Sequence, residues 1–482
     1  MAGMRFAREG SGGKKPCIAG GEMTKRLLLT TTIFVVTAGA AWGASPQDVA
    51  RLGKELTPAG AERAGNKDGT IPAWDGKDVP LPGWSYGKYR GDYWQYKDEK
   101  PLFSIDASNV DKYQDKLTPA QVQMVKQTKG YRMDVYPSHR NAGFPDWIEA
   151  NIRKNAAGAA KLSKDGTNLL DAALPGIPFP IPENGSEIIW NFLMRYKGVG
   201  TEWPRTTTSV SPRPGSDDWL DPAGPQTVFH PWGKKGSISP DRAGNVIYCI
   251  DFAYDTPAAL AGQRIFICDF TNKDRETYFY FPGQRRVRRL PVYAYDAPQI
   301  GFENQYPLDT AWVFLGRPDR FDWRIVGKKE IYVPYNAFGM YDFRKKLHDV
   351  LQVKHLANES RRYELHRVWV VEATVKKGMR HSMPRRVFYF DEDTYLALVA
   401  DQYDAKGGLW RLEEGYPIPI WELGGTFDHY PFASYDLLTG RYVCDQSTIG
   451  IGKDLRYFTD ATDPRFNMSW FTAENLRVIS ER

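Results

Sequence analysis

The sequence predicts a mainly β protein: a large curved antiparallel sheet, an incomplete β-barrel, with a few covering helices and an irregular N-terminal segment. Three observations predict it. From about residue 206 the hydrophobic period changes to two, the period of a strand with one face buried. Turn residues punctuate this region at short intervals, and no strand–helix alternation suggests a parallel sheet. Aromatic residues reach 14%, with 15 Trp and 27 Tyr, which suits β-strands and apolar binding surfaces alike.

The elements follow in chain order. Met23 opens "MTKRLLLTTTIFVVTAGAAWGASPQ", where Lys25 and Arg26 precede an apolar run from Leu27 to Ala41 and small residues follow. That order is a secretory signal peptide, and the run is too short for a comfortable membrane span. Residues 1–43 are therefore read as an over-extended start plus signal, cut after Gly43. The expected location is the periplasm, with at most a peripheral association with the outer membrane. The removed piece holds six of the 64 Lys and Arg and two of the 58 Asp and Glu. The remaining 439 residues keep 58 basic against 56 acidic, a formal +2 in place of +6. Bulk charge then gives no reason to expect a polyanion, and nucleic acid is excluded as a partner.

Residues 44–205 are rich in Pro, Gly and Trp and are expected to pack on the sheet. "GNKDGTIPAWDGKDVPLPGW" should be extended and irregular. Three helices are expected. "LTPAQVQMVKQT" carries Thr118 as cap, Pro119 in the first turn and Gln121 to complete a capping box. "PDWIEANIRKNAAGAAK" is the second, and "NGSEIIWNFLMRYKG" the third, with Gly198 as its stop. "LPGIPFPIP" between the last two reads as a rigid strut.

Residues 206–482 form the meander, within the same structural unit. Strands are expected at 206–211, 226–232, 245–254, 263–270, 276–281 and 284–290. They resume at 328–334, 362–375, 384–391, 395–403 and 409–414, with a last hairpin in "FASYDLLTGRYVCDQ". So many strands leave exposed edges unless the sheet curls or is covered, so the early helices are expected on its concave face. A hairpin about "TPAALA" with Tyr254 opposite Gln263 sets Cys249 opposite Cys268. These two are a candidate disulfide in an oxidising compartment, with two reduced, buried thiols as the alternative.

Catalytic signatures are absent: no H-E-x-x-H, C-x-x-C, G-x-S-x-G, P-loop or dinucleotide fingerprint occurs. His366 alternates on its strand with Glu364 and Val368; the alternatives are a metal or acid–base pair and a surface or hydrogen-bonded strand pair, and the second is the better reading. "DEDTY" at 391–395 lacks the glycine and the terminal Glu of a calcium loop and reads as a tight acidic turn. The expectation is no catalytic residue, no metal, no cofactor and no enzyme.

What remains is a surface for apolar or amphipathic molecules. "GQRRVRRLP" follows "TYFYF"; in a strand Arg286 and Arg288 face one way, Arg285 and Arg289 the other. These arginines either pair in a lattice with carboxylates such as Asp319, Asp322, Glu330, Glu364 and Asp391 to Asp393, or meet an anionic head group. The aromatics either fill a core or line a lipid-sized cavity. The candidate ligand-binding set is Tyr278, Tyr280, Arg286, Arg288, Trp369, Phe388 and Phe390.

"LTPAGAERAGNKDGTIPAW", "GQRRVRRLP", "DRFDWRIVGKKEIYVPYN", "RYELHRVWVVEATVKKGMRHSMPRRVFYFDEDT" and "YDAKGGLWR" together resemble the exported bacterial family named domain of unknown function 1329. That family is labelled outer-membrane lipoprotein-sorting-like. The resemblance implies a fold like the LolA and LolB carriers, an incomplete barrel closed by helices around a hydrophobic cavity. It transfers no catalytic residues. The expected role is a carrier or chaperone for a lipid, a lipoprotein acyl chain or a hydrophobic transporter substrate. The alternative is an envelope protein with a packed core that docks on an outer-membrane protein or an envelope transporter.

Overall fold

The computed structural model describes residues 44–481, so the signal peptide expected in residues 1–43 lies outside the described residues. Helix α1 (Pro46–Arg51) leads into a largely irregular stretch. Strand β1 (Phe103–Ile105), α2 (Pro119–Gln127), β2 (Met133–Val135) and α3 (Asp146–Lys154) follow. A small hairpin, β3 (Lys161–Leu162) and β4 (Leu169–Asp171), precedes α4 (Gly185–Met194). Six strands then run in succession: β5 (Gly200–Val210), β6 (Ala223–Phe229), β7 (Val246–Ala253), β8 (Arg264–Phe270), β9 (Glu276–Phe281) and β10 (Arg286–Arg289). Beyond an irregular segment come β11 (Phe321–Pro334), the short α5 (Leu347–Val350), β12 (Tyr363–Val375), β13 (Arg385–Asp391), β14 (Ala397–Tyr403) and β15 (Leu409–Gly415). The last elements are β16 (Ile418–Ile420), β17 (Thr426–Asp428), β18 (Phe432–Asp436), β19 (Arg441–Ser447), β20 (Arg456–Phe458) and α6 (Ala473–Ser480). Among the described residues no helix is long and apolar enough to cross a membrane.

Sixteen strands form one open sheet in the order β1-β2-β12-β13-β14-β15-β18-β19-β5-β6-β7-β8-β9-β10, with β11 added to β12 and β20 to β5. Its pairings are antiparallel except the single β2–β12 contact, Val135 beside Tyr363. Non-neighbouring contacts show that the sheet curls. Trp312 meets Tyr248 of β7 at 5.5 Å between ring centroids, and Phe314 meets Phe388 of β13 at 5.9 Å. In a flat sheet those strands, seven steps apart at about 4.8 Å each, would be separated by roughly 34 Å. Residues 312 and 314 span only about 7 Å of chain. The strands therefore wrap around the segment between β10 and β11.

The local chemistry explains most boundaries. Thr118 Oγ1 accepts from the Gln121 N–H at 3.2 Å while the Gln121 side chain accepts from the Thr118 N–H at 3.0 Å, the reciprocal cap expected for α2. Helix α4 stops at Met194, short of the expected Gly198, because Arg195 turns extended and sends its guanidinium to Asp428 at 2.8 Å. Its first residue must be small: a Cβ on Gly185 would lie 2.6 Å from the Trp323 carbonyl carbon. Strand β5 begins six residues before the expected start. Pro204 sits in a register shift between Trp203 and Thr206, where its missing N–H breaks no ladder.

Helix α4 covers the concave face, with Phe192 against Phe390 at 5.8 Å. Helix α2, expected there too, lies on the convex face, where Thr118 Oγ1 donates to Asp401 of β14 at 2.7 Å. Strands β13 to β15 are buried on both faces, so each face needs its own cover. On the convex face of β7 to β9 a second core forms under α6, with Phe471 against Phe266 at 5.2 Å. There Cys249 pairs directly with Cys268 and the two are disulfide-bonded, with Cα atoms 4.2 Å apart; Cys444 is a free, buried thiol.

Candidate functional site

The concave face changes character along β8. Directly paired antiparallel residues share a face, and the register joins Ile250 to Ile267, Phe252 to Ile265 and Ile265 to Phe279. Two residues further on, the same face of β8 carries Asp269, whose carboxylate accepts from Arg275 at 2.8 and 2.7 Å and also from Tyr248. The floor is thus apolar at one end and ionic at the other.

Residues 291–320 lie on this floor as a plug. Over the apolar end they set Leu308, Ala311, Trp312 and Leu315, leaving a cavity of about 50 Å³ bordered by Gln226, Asp445 and Gln446. Over the ionic end the stretch 291–297 roofs a groove of about 590 Å³ that also holds Arg275, Arg317 and Arg320 beside Asp269, Asp274 and Asp296. The smaller space is too small for an acyl chain, since ligand pockets run to roughly 300–1,000 Å³. Of the two alternatives left open by the aromatics, the apolar end of the floor is packed by the chain's own side chains, and the larger space is the ionic groove beside it.

The plug is anchored by polar bonds at separate points. Tyr306 Oη donates to Asp445 at 2.6 Å, and Trp312 Nε1 to Gln446 Oε1 at 2.5 Å. Asp309 Oδ2 faces Arg386 NH1 at 2.9 Å and His381 Nε2 at 2.8 Å. Burial works to raise Asp309, but Arg386 and then His381 outweigh it and hold its carboxyl at about 2. Trp312 and Val313 have φ of 54° and 68°, a left-handed backbone that is costly for a β-branched residue.

Beneath Asp309 lies a second polar surface. The register sets Arg386 beside Gln402, Gln402 beside Arg411, and Glu413 beside Ser434. Both Glu413 oxygens, both polar atoms of the Gln402 amide and Arg386 Nε are buried without a hydrogen-bond partner among the described residues. Burial, reinforced by Asp309, pushes Glu413 up to about 8, since Arg386 is engaged by Asp309 and stands 3.7 Å away. These groups can both donate to and accept from a polar ligand group.

The sequence-derived set is divided by this geometry. Arg286 and Arg288 pair with Phe281 and Phe279, so they share the concave face, but on the terminal strand of the sheet and exposed to solvent. The carboxylate lattice considered for them does not form: among the described residues none of these arginines has an acidic partner, and Arg288 contacts Gln284 and the Phe281 ring. Tyr278 and Tyr280 face the convex side, against the α6 core, since Phe279 takes the inward position. Phe388 does meet the plug, through Phe314. Phe390 packs on α4, and Trp369 lies under the Lys328 ammonium at 4.3 Å, both away from the cavity. The sequence reading missed Ile265, Ile267, Phe279, Asp309, Trp312 and Glu413. Period-two alternation offered the first three equally with their neighbours, and "LDTAWVFL" carries no period at all.

A curated protein, Uncharacterized protein PA3922 of Pseudomonas aeruginosa, is 37% identical over 431 residues, covering 87% of this chain and 92% of its own. Among solved structures, a putative outer membrane lipoprotein-sorting protein domain from Vibrio parahaemolyticus aligns with 14% identity and a TM-score of 0.40, over 59% of this chain and 97% of that one. LolA superfamily protein NE2245 from Nitrosomonas europaea aligns with 11% identity and a TM-score of 0.34, over 60% and 100%. Residues 104–477 match the family described as Protein of unknown function (DUF1329), and the chain belongs to that family.

Proposed function

We propose that the protein is a non-enzymatic periplasmic carrier whose hydrophobic site is occupied by its own plug until an amphipathic molecule displaces it. The observation that carries this reading is the graded floor: Ile265 and Ile267 run into Asp269 on one face of β8, under a segment held by side-chain bonds such as Tyr306 to Asp445 and Trp312 to Gln446. An apolar chain would take the places of Leu308, Trp312 and Leu315, with its polar head toward Arg275, Arg317 and Arg320. Burying each methylene contributes about 0.8 kcal/mol, so eight carbons supply roughly 6 kcal/mol. Against it stand the charge-assisted bond of Asp309 to Arg386 and the burial given up by Leu308, Trp312 and Leu315, which the ligand must replace. The periplasmic assignment rests on the N-terminal signal pattern and on the Cys249–Cys268 bond.

The test is binding of an apolar fluorescent probe by two variants. Tyr306→Phe removes the hydroxyl that ties the plug to Asp445 and should tighten apparent affinity several-fold. Ile267→Phe fills the cavity and should weaken it at unchanged fold. Equal binding by both variants and wild type places the probe elsewhere and ends the reading.

The small cavity favours a second reading, an envelope docking protein with a packed core. It would present the irregular stretch where Val79 is 62% and Leu102 64% exposed. No probe binding by wild type or Tyr306→Phe supports it.

A further inference from the structure

Two motifs that stand apart in the sequence meet in space, outside the plug. The "DEDTY" turn links β13 to β14, and the β12–β13 register ends at Val368 beside Asp391. The turn then bends back along β12: the Glu392 N–H donates to the Arg367 carbonyl at 3.0 Å. Asp391 and Asp393 thereby reach His366, and one donor atom from each of the three lies within 4.8 Å of the others, all buried.

We propose that His366, Asp391 and Asp393 bind a divalent transition-metal ion. His366 Nε2 faces Glu364 Oε2 at 3.3 Å, and donation of an Nε2–H along that contact leaves the Nδ1 lone pair toward Asp391. His366 Nδ1 and Asp391 Oδ1 are 3.7 Å apart. That is too long for a hydrogen bond, yet it suits two donors each about 2.0–2.2 Å from a shared ion. Asp391 Oδ1 is fully buried and has no hydrogen-bond partner among the described residues, while Oδ2 accepts from Thr394 Oγ1 at 2.6 Å and Tyr335 Oη at 3.3 Å. Two lone pairs facing each other in a dry interior are relieved by a cation between them, a metal ion or a proton.

The surroundings have the character of an outer shell. The Tyr335 ring stacks on His366 at 3.8 Å between centroids, fixing the imidazole plane. Arg140 donates to both Asp393 oxygens, at 2.9 and 2.8 Å, leaving each oxygen a further lone pair. One imidazole with carboxylate oxygens suits zinc or manganese, whereas calcium takes six to eight oxygens. Arg140 and Arg367 also hold the Glu62 and Ala64 carbonyls. A metal on Asp391 and Asp393 would therefore brace the clamp that fastens residues 62–72 to the sheet.

The experiment uses the full mature chain, stripped with a chelator and then equilibrated with zinc or manganese. Elemental analysis should find one equivalent per chain, with a rise in Tm and slower proteolysis near residues 62–72. His366→Gln and Asp391→Asn should each abolish these gains. Should either variant misfold, X-ray absorption of the cobalt-loaded wild type provides the check: one imidazole in an oxygen-rich shell is expected. Substoichiometric metal, undiminished binding by folded variants, or a cobalt shell without imidazole overturns the proposal. So does nitrogen NMR showing both His366 ring nitrogens protonated with and without metal, which assigns a proton to the gap.

Discussion

Glu413 shows how burial can set a side chain's behaviour. Its folded value near 8 lies above the ordinary carboxyl range because burial outweighs Arg386, which is engaged by Asp309. The folded protein thus holds a proton that the unfolded chain has released between about pH 4.5 and pH 8. Stability from this group is present below that window and is lost as pH rises through it. Glu413→Gln removes the titration, so its Tm relative to wild type should climb by at least about 2 °C from pH 5 to pH 8. A constant difference across that range, followed by calorimetry, would show that Glu413 is already ionised at pH 5. At this scale the sequence revealed little. Glu413, Gln402 and Asp309 become a polar surface only through pairing between strands and through a segment that no periodicity marks. His366 and "DEDTY" were legible one by one, but their meeting depends on the β12–β13 register.

Among the elements, β10 answers for its arginines. It closes one end of the sheet, and a terminal strand offers unpaired backbone groups to any other strand. Arg286, Arg288 and Arg289 are exposed there without acidic partners among the described residues, an arrangement that repels a second edge. Replacing Arg286 and Arg288 with Thr keeps strand propensity and removes two charges. The double variant should self-associate at concentrations where wild type stays monodisperse by light scattering, with little change in Tm. A monodisperse variant with a lowered Tm would instead make these arginines stabilising contacts. Strands were the most legible elements. The Cys249–Cys268 and Tyr254–Gln263 register follows from hairpin symmetry, and the α2 capping box from its four residues. The misses have local causes: Pro204 hides the start of β5, and Arg195 ends α4 early for an ion pair to a residue 233 positions away.

For the whole molecule, the sequence conveyed a mainly β, curled, open sheet with few helices. It could not convey what fills the curl, because a plug whose regular structure is a single 3-10 turn, Leu308–Thr310, leaves no pattern. Which face of "TYFYF" turns inward was equally hidden, since both faces of β9 are aromatic, one against the plug and one against α6. Carriage depends on the plug yielding its place to a greasy ligand. The measurement that tests this most directly is organic extraction of protein purified from its native host, followed by mass spectrometry. The expected result is an amphipathic molecule at close to one per chain, reduced in the Ile267→Phe variant. Clean extracts from repeated preparations, with no apolar probe bound by wild type or Tyr306→Phe, would contradict it.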